Sequence, residues 1–134
     1  MAWDDVRRLE STGVRFGPHT VTHPILANTS DEQAYREIDE SWRRLCDEAR
    51  QPLDVFCYPN GQPGDFTDRE FENFRRRGLR AAVTGVGGHV TRASFAAPDA
   101  CFQIPRFAFP EDTATLIQYV NGMELAKNRL RRSH

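Results

Sequence analysis

No apolar run in this chain approaches the roughly 20 residues a membrane-spanning helix needs, and mean hydropathy is −0.64, which argues against a helical membrane protein. An excess of one charge is also lacking. Eighteen Lys and Arg stand against 19 Asp and Glu, for a formal net charge of −1. No global field points to nucleic acid or to an anionic membrane surface as partner. Cysteine is scarce: Cys46, Cys57 and Cys101 make an odd set with no C-x-x-C spacing, so neither a disulfide framework nor a zinc knuckle is expected. Cys46 falls beside the apolar face of a predicted helix and Cys57 in a predicted strand, so buried free thiols in a reducing compartment are expected. The opening MAWDDVRRLE has no apolar signal-peptide core, so the chain as given is expected to be soluble and cytoplasmic. Internal repeats and low-complexity linkers are missing too.

What is present suits one globular domain. The 134 residues, 39% of them hydrophobic, can bury a real core but are too few for two ordinary domains, so residues 1–134 are read as a single domain. Trp3, Val6 and Leu9 recur at helical spacing before Gly13, and "VRFG" then alternates as a short strand would. Ser30 and Gln33 form a capping-box pattern ahead of Tyr35, Ile38, Trp42, Leu45 and Ala49, which share one helical face. "LDVFCYP" reads as a buried strand ending at Pro59. A second box, Thr67 with Glu70, opens a helix that Gly78 can close, with Phe66 stapled onto Phe71. "LRAAVTG" is the next strand, and residues 85–101 read as a long loop. "CFQIPRFAF" is a strand interrupted at Pro105. Pro110 opens a last helix with Leu116, Val120 and Met123 on one face, and the basic tail "KNRLRRSH" suits the carboxyl end of its dipole. Strands alternating with helices imply an α/β fold with a mostly parallel sheet or barrel. A closed barrel usually takes about 250 residues.

The segment "GPHTVTHPIL" puts His19 and His23 four residues apart, just after a strand that ends in glycine. The carboxyl ends of strands are where α/β folds place their chemistry. If Thr20 to Thr22 made one helical turn, the two rings would point the same way as a pair of zinc-type ligands. The spacing alone leaves two readings open, surface or capping histidines and metal ligands.

The context of this pair resembles the polysaccharide deacetylase family, also called carbohydrate esterase family 4. Its H-[ST]-x-x-H-P segment is matched by His19, Thr20, His23 and Pro24, and its Pro-x-Gly turn by Pro59, Asn60 and Gly61 in "FCYPNG". "IPRF" resembles a late segment of the same domain, with Arg106 as the recurrent arginine. The resemblance implies a partial (β/α) barrel of the polysaccharide deacetylase type. It implies His19 and His23 as ligands of a divalent metal, with zinc expected, and Tyr58, Pro59, Asn60 and Gly61 as a groove wall. Asn60 would contribute a backbone N–H to the oxyanion site, and Thr20 and Arg106 would give support. The implied substrate is an N-acetylated carbohydrate, cleaved at a C–N bond other than a peptide bond.

Several family features have no match. The T-F-D-D-G strand, which carries the general base and the third metal ligand, should precede the histidines and does not. Asp4 and Asp5 open a predicted helix instead, and lie at the wrong end of the following strand. Pro18 stands where a small polar residue is usual, and Cys57 and Tyr58 replace an arginine-containing start, although an aromatic before the proline occurs in a subgroup. The late Leu-x-His motif of the general acid is missing. His89 is read as a solvated loop histidine, with a shifted acid as the alternative.

The reading is therefore a carboxyl-terminal deacetylase portion whose base and third ligand lie elsewhere, with weak metal binding and little turnover alone. The alternatives are a non-catalytic carbohydrate-binding or oligomerising domain with a relic metal site, or a hydrolase completed by dimerisation. A homo-oligomer would cover exposed strand edges.

Overall fold

A computed structural model describes residues 1–122. Helix α1 spans Trp3–Glu10, α2 Asp31–Glu48, α3 Asp68–Arg77 and α4 Thr113–Val120; strands β1 and β2 span Val55–Cys57 and Ala81–Val83. Short 3₁₀ turns lie at Leu26–Asn28, Arg92–Phe95 and Ala100–Phe102. Strands β1 and β2 pair in parallel, with Val55 opposite Ala81, Phe56 opposite Ala82 and Cys57 opposite Val83.

Two further segments extend this sheet without forming regular ladders. Residues 14–18, which take in the strand expected at 14–17, run beside β1: Leu53 N donates to Phe16 O at 2.7 Å and Cys57 N to Pro18 O at 3.0 Å. Pro18 has no N–H to return, so the reciprocal bonds of a ladder are missing there. On the other side the expected strand at 101–109 shrinks to one parallel bridge, Val83 with Ile104. Ile104 N donates to Ala82 O and Thr84 N to Ile104 O, after which Pro105 ends the pairing. The result is a partial (β/α) wall, with neighbouring segments aligned in parallel.

The helices form where the sequence directs them. Ser30 Oγ accepts the amide of Gln33 at 3.2 Å to start α2. Glu70 Oε2 reaches back to Thr67 N at 2.6 Å to start α3, and Gly78 closes it at φ 72°. Helix α4 begins at Thr113, three residues after Pro110, because Asp112 Oδ1 accepts from Thr115 N at 2.8 Å and acts as the cap. Met123 and the basic tail lie outside the described residues.

The main core lies between the sheet and helices α2 and α3. Ile38, Phe56 and Phe74 are fully buried there, each stabilising the fold by roughly 1.5–3 kcal/mol. A satellite cluster of Val6, Leu45 and Ala49, flanked by Trp3 and Phe16, seats α1 against the end of α2. The expectation of buried thiols needs correction at Cys46, which is exposed. Leu45 takes the inward position, and one residue along a helix turns the side chain by about 100°. Cys57 and Cys101 are half-buried free thiols.

Candidate functional site

His19 and His23 lie in the loop that follows the 14–18 segment, at the carboxyl end of β1. The loop is not the helical turn that an i, i+4 spacing suggests. Thr20 and His23 are left-handed, at φ 64° and φ 60°, which costs a non-glycine residue roughly 1–3 kcal/mol each. Thr20 Oγ1 accepts the His23 amide at 3.1 Å and so spans the bend.

What offsets this strain is Glu37, which is 7% exposed on the inner face of α2. Its Oε2 accepts the amides of Val21 at 2.7 Å and Thr22 at 2.8 Å, and its Oε1 accepts the Thr22 hydroxyl at 2.6 Å. Bonds to a charged acceptor contribute roughly 1.5–3 kcal/mol apiece, enough to hold two left-handed residues. Burial pushes the Glu37 carboxyl up, but the Thr22 hydroxyl and the two amides outweigh it and hold it below the usual range. A signal for Glu37 exists in the sequence. It sits between Ala34 and Ile38 on the apolar stripe, where a carboxylate is buried only with partners.

The rings themselves come together. Their centroids are 4.8 Å apart with planes at 77°. Two imidazoles on one tetrahedral zinc place their ring centres roughly 5 Å apart, given metal–nitrogen distances of about 2 Å. His19 Nδ1 lies 2.7 Å from the Cys57 carbonyl oxygen. A carbonyl can only accept, so Nδ1 donates here; in the neutral ring Nε2 then keeps its lone pair, the tautomer a ligating histidine uses. The donor set fits a divalent cation in part. Among the described residues no third His, Cys, Asp or Glu joins the pair.

Asp4 and Asp5 are helix-start charges, as their position suggests. Asp5 Oδ2 accepts the Ala2 amide at 2.9 Å, and the two carboxylates pair with Arg7 and Arg8 at 2.6 and 2.9 Å.

The Pro59–Asn60–Gly61 turn follows directly from β1, two residues beyond the carbonyl that orients His19. Asn60 is exposed and left-handed at φ 56°, and Gly61 N donates to Pro59 O at 2.6 Å. The turn presses on the end of β2, where Gly85 N donates to Gly61 O at 2.9 Å. A Cβ on Gly61 would lie 2.5 Å from Gly85 N, and one on Gly85 2.0 Å from Asn60 O, so both positions require glycine. Arg106 braces the same corner: its Nε donates to Thr84 O at 2.9 Å and its amide to Val86 O at 3.0 Å. The Cys57 thiol is pushed up by burial, with the nearby Arg106 charge opposing.

Of the four groove candidates only Asn60 is exposed; Tyr58, Pro59 and Gly61 are buried. The Tyr58 ring is stacked on Phe66 at 4.0 Å, and its hydroxyl donates to Phe102 O at 3.0 Å. Strand alternation puts Phe56 and Tyr58 on the core face, so Tyr58 offers the groove only its backbone. His89 also departs from expectation. It is half-buried rather than solvated, with Nε2 donating to Tyr119 O at 2.8 Å and its ring edge-on to Phe107, so it ties α4 to the preceding loop. A cavity of about 440 Å³ borders His19 and Thr20 on the side of Trp3, Glu40, Ser41 and Arg44. A larger one of about 630 Å³ lies between α2 and α3 and contains no histidine.

The family model described as polysaccharide deacetylase matches residues 1–82, which include both histidines and the Pro-x-Gly turn. The chain belongs to the polysaccharide deacetylase family. Solved deacetylase structures share its fold. A Streptococcus pyogenes deacetylase, PplD, in complex with acetate superposes with a TM-score of 0.74 at 21% identity, over 89% of this chain and 50% of that one. A Bacillus anthracis protein described as a polysaccharide deacetylase gives 0.70 at 20% identity, over 90% of this chain and 36% of that one. The chain thus spans half or less of the length of these deacetylase structures. Curated proteins give no match.

Proposed function

We propose that this chain provides the histidine half of a divalent-metal centre, with zinc the expected ion, in a deacetylase acting on N-acetylated carbohydrate. The observation that carries this reading is the approach of the two rings, 4.8 Å between centroids, with His19 turned by the bond from its Nδ1 to the Cys57 carbonyl. His19 and His23 would hold the cation. When bound, such an ion polarises an acetyl carbonyl and lowers the pKa of a water. This chain's own contribution is positioning. The Asn60 amide, on an exposed left-handed turn, would face the developing oxyanion, and Thr84 and Arg106 keep that turn in place. The base and the third ligand would come from outside the described residues.

The absence of a third ligand beside the pair, among the described residues, favours a second reading: a non-catalytic carbohydrate-binding or oligomerising domain that keeps a relic site. Calorimetric titration with zinc tests the first reading. Wild type should bind, and His19→Ala and His23→Ala should each abolish the heat. Tight binding that neither substitution alters would overturn it. Turnover of an N-acetylated oligosaccharide separates the two readings, and light scattering reports whether the chain self-associates.

A further inference from the structure

Glu37 touches neither histidine, yet it holds two of the three residues between them, Val21 and Thr22. Its Oε2 takes the Val21 and Thr22 amides and its Oε1 takes the Thr22 hydroxyl. The left-handed conformations at Thr20 and His23 leave the loop under strain on both sides of this clamp. Released, the loop would return toward negative φ at His23, a rotation of more than about 100° that carries the ring away. His19 has a separate anchor in the Cys57 carbonyl and would stay.

We infer that Glu37 is a positioning residue for the His19–His23 pair, and that it acts on His23. The inference rests on the metal reading above. The clamp needs two acceptor oxygens at once, because two amides and a hydroxyl converge on one side chain. Glutamate at this helical position supplies both. Glutamine keeps the length but offers one acceptor oxygen and weaker neutral bonds, so it should retain part of the effect. Alanine removes the clamp.

The test uses the full chain with zinc alone as probe, and compares wild type, Glu37→Gln, Glu37→Ala and a control, Glu10→Gln. Glu10 is an equally buried carboxylate that also holds two backbone amides, those of Arg50 and Gln51, away from the histidines. Glu37→Ala should weaken zinc binding by about 10–100-fold, the range that follows when a group orienting a metal ligand is lost. Glu37→Gln should fall between it and wild type, and serves alone if the alanine variant does not fold. Glu10→Gln should lower stability and leave zinc affinity as it was. Equal zinc affinity in wild type and the Glu37 variants would overturn the inference, as would an equal loss in Glu10→Gln.

Should wild type bind no zinc, the metal reading fails by itself, and NMR decides the inference. The Glu37 variants should lose amide protection at Val21 and Thr22 and shift the His23 ring resonances, with those of His19 retained. Unchanged His23 resonances, or equal shifts in both rings, would overturn it.

Discussion

Gly85 meets Asn60 so closely that a Cβ at residue 85 would lie 2.0 Å from the Asn60 carbonyl oxygen. This contact locks the Pro59–Asn60–Gly61 turn against the end of β2, and neither side has a flexible side chain that could yield. Gly85→Ala should therefore displace the turn and lower stability by about 1–3 kcal/mol, as overpacking at a rigid site does. Urea unfolding checks this, and an unchanged midpoint would show that the turn is free to move.

Tyr58 donates its hydroxyl to the Phe102 carbonyl from inside the core, and burial pushes the phenol pKa far above its usual value, so the proton stays. Tyr58→Phe keeps the stacking on Phe66 but strands that carbonyl. The expected cost is about 1–3 kcal/mol. It should appear as a lower midpoint with the same slope, since no surface is exposed.

Arg69 ties the 3₁₀ turn after the histidine loop to α3. It donates to the carbonyls of Leu26 and Thr29 and pairs with Asp31 and with Glu70, whose side chain is fully buried. Arg69→Met would leave the Glu70 carboxylate without its cation, a loss on the order of 3–5 kcal/mol for a buried pair. Pairing Arg69→Met with Glu70→Gln should recover part of it, and thermal unfolding of the single and double variants measures the coupling.

Glu10 is held below the usual carboxylate range, first by the Arg50 amide and with help from that of Gln51, against the opposing effect of burial. A carboxyl with a lowered folded pKa binds fewer protons folded than unfolded. Its contribution is complete above the unfolded value, near 4.5, and is lost as pH falls through the folded value. The stability gap between wild type and Glu10→Gln should be constant from neutral pH down to about pH 5 and narrow below it. Denaturant midpoints across that range check the sign; a gap that widens in acid would contradict it.

Local chemistry was legible along the chain wherever a helix end depends on neighbours. Ser30, Thr67 with Glu70, and Gly78 mark α2 and α3 because capping is a contact over a few residues. Strands were legible as apolar runs but not in extent. Whether residues 14–18 and 101–109 complete a ladder depends on Pro18 and Pro105 facing a neighbour, which sequence order does not reveal. The face that the Tyr58 side chain takes was not legible for a related reason, since it follows from which side of β1 the helices cover.

The pattern His19, Thr20, His23, Pro24 with Pro59, Asn60 and Gly61 was enough to indicate the family, because those residues need particular identities at particular spacings. The approach of the two rings was a tertiary matter. It comes from two left-handed residues in the loop, a carboxylate on a later helix and a carbonyl on a later strand, the last two distant along the chain and brought to the loop only when the sheet and α2 pack together.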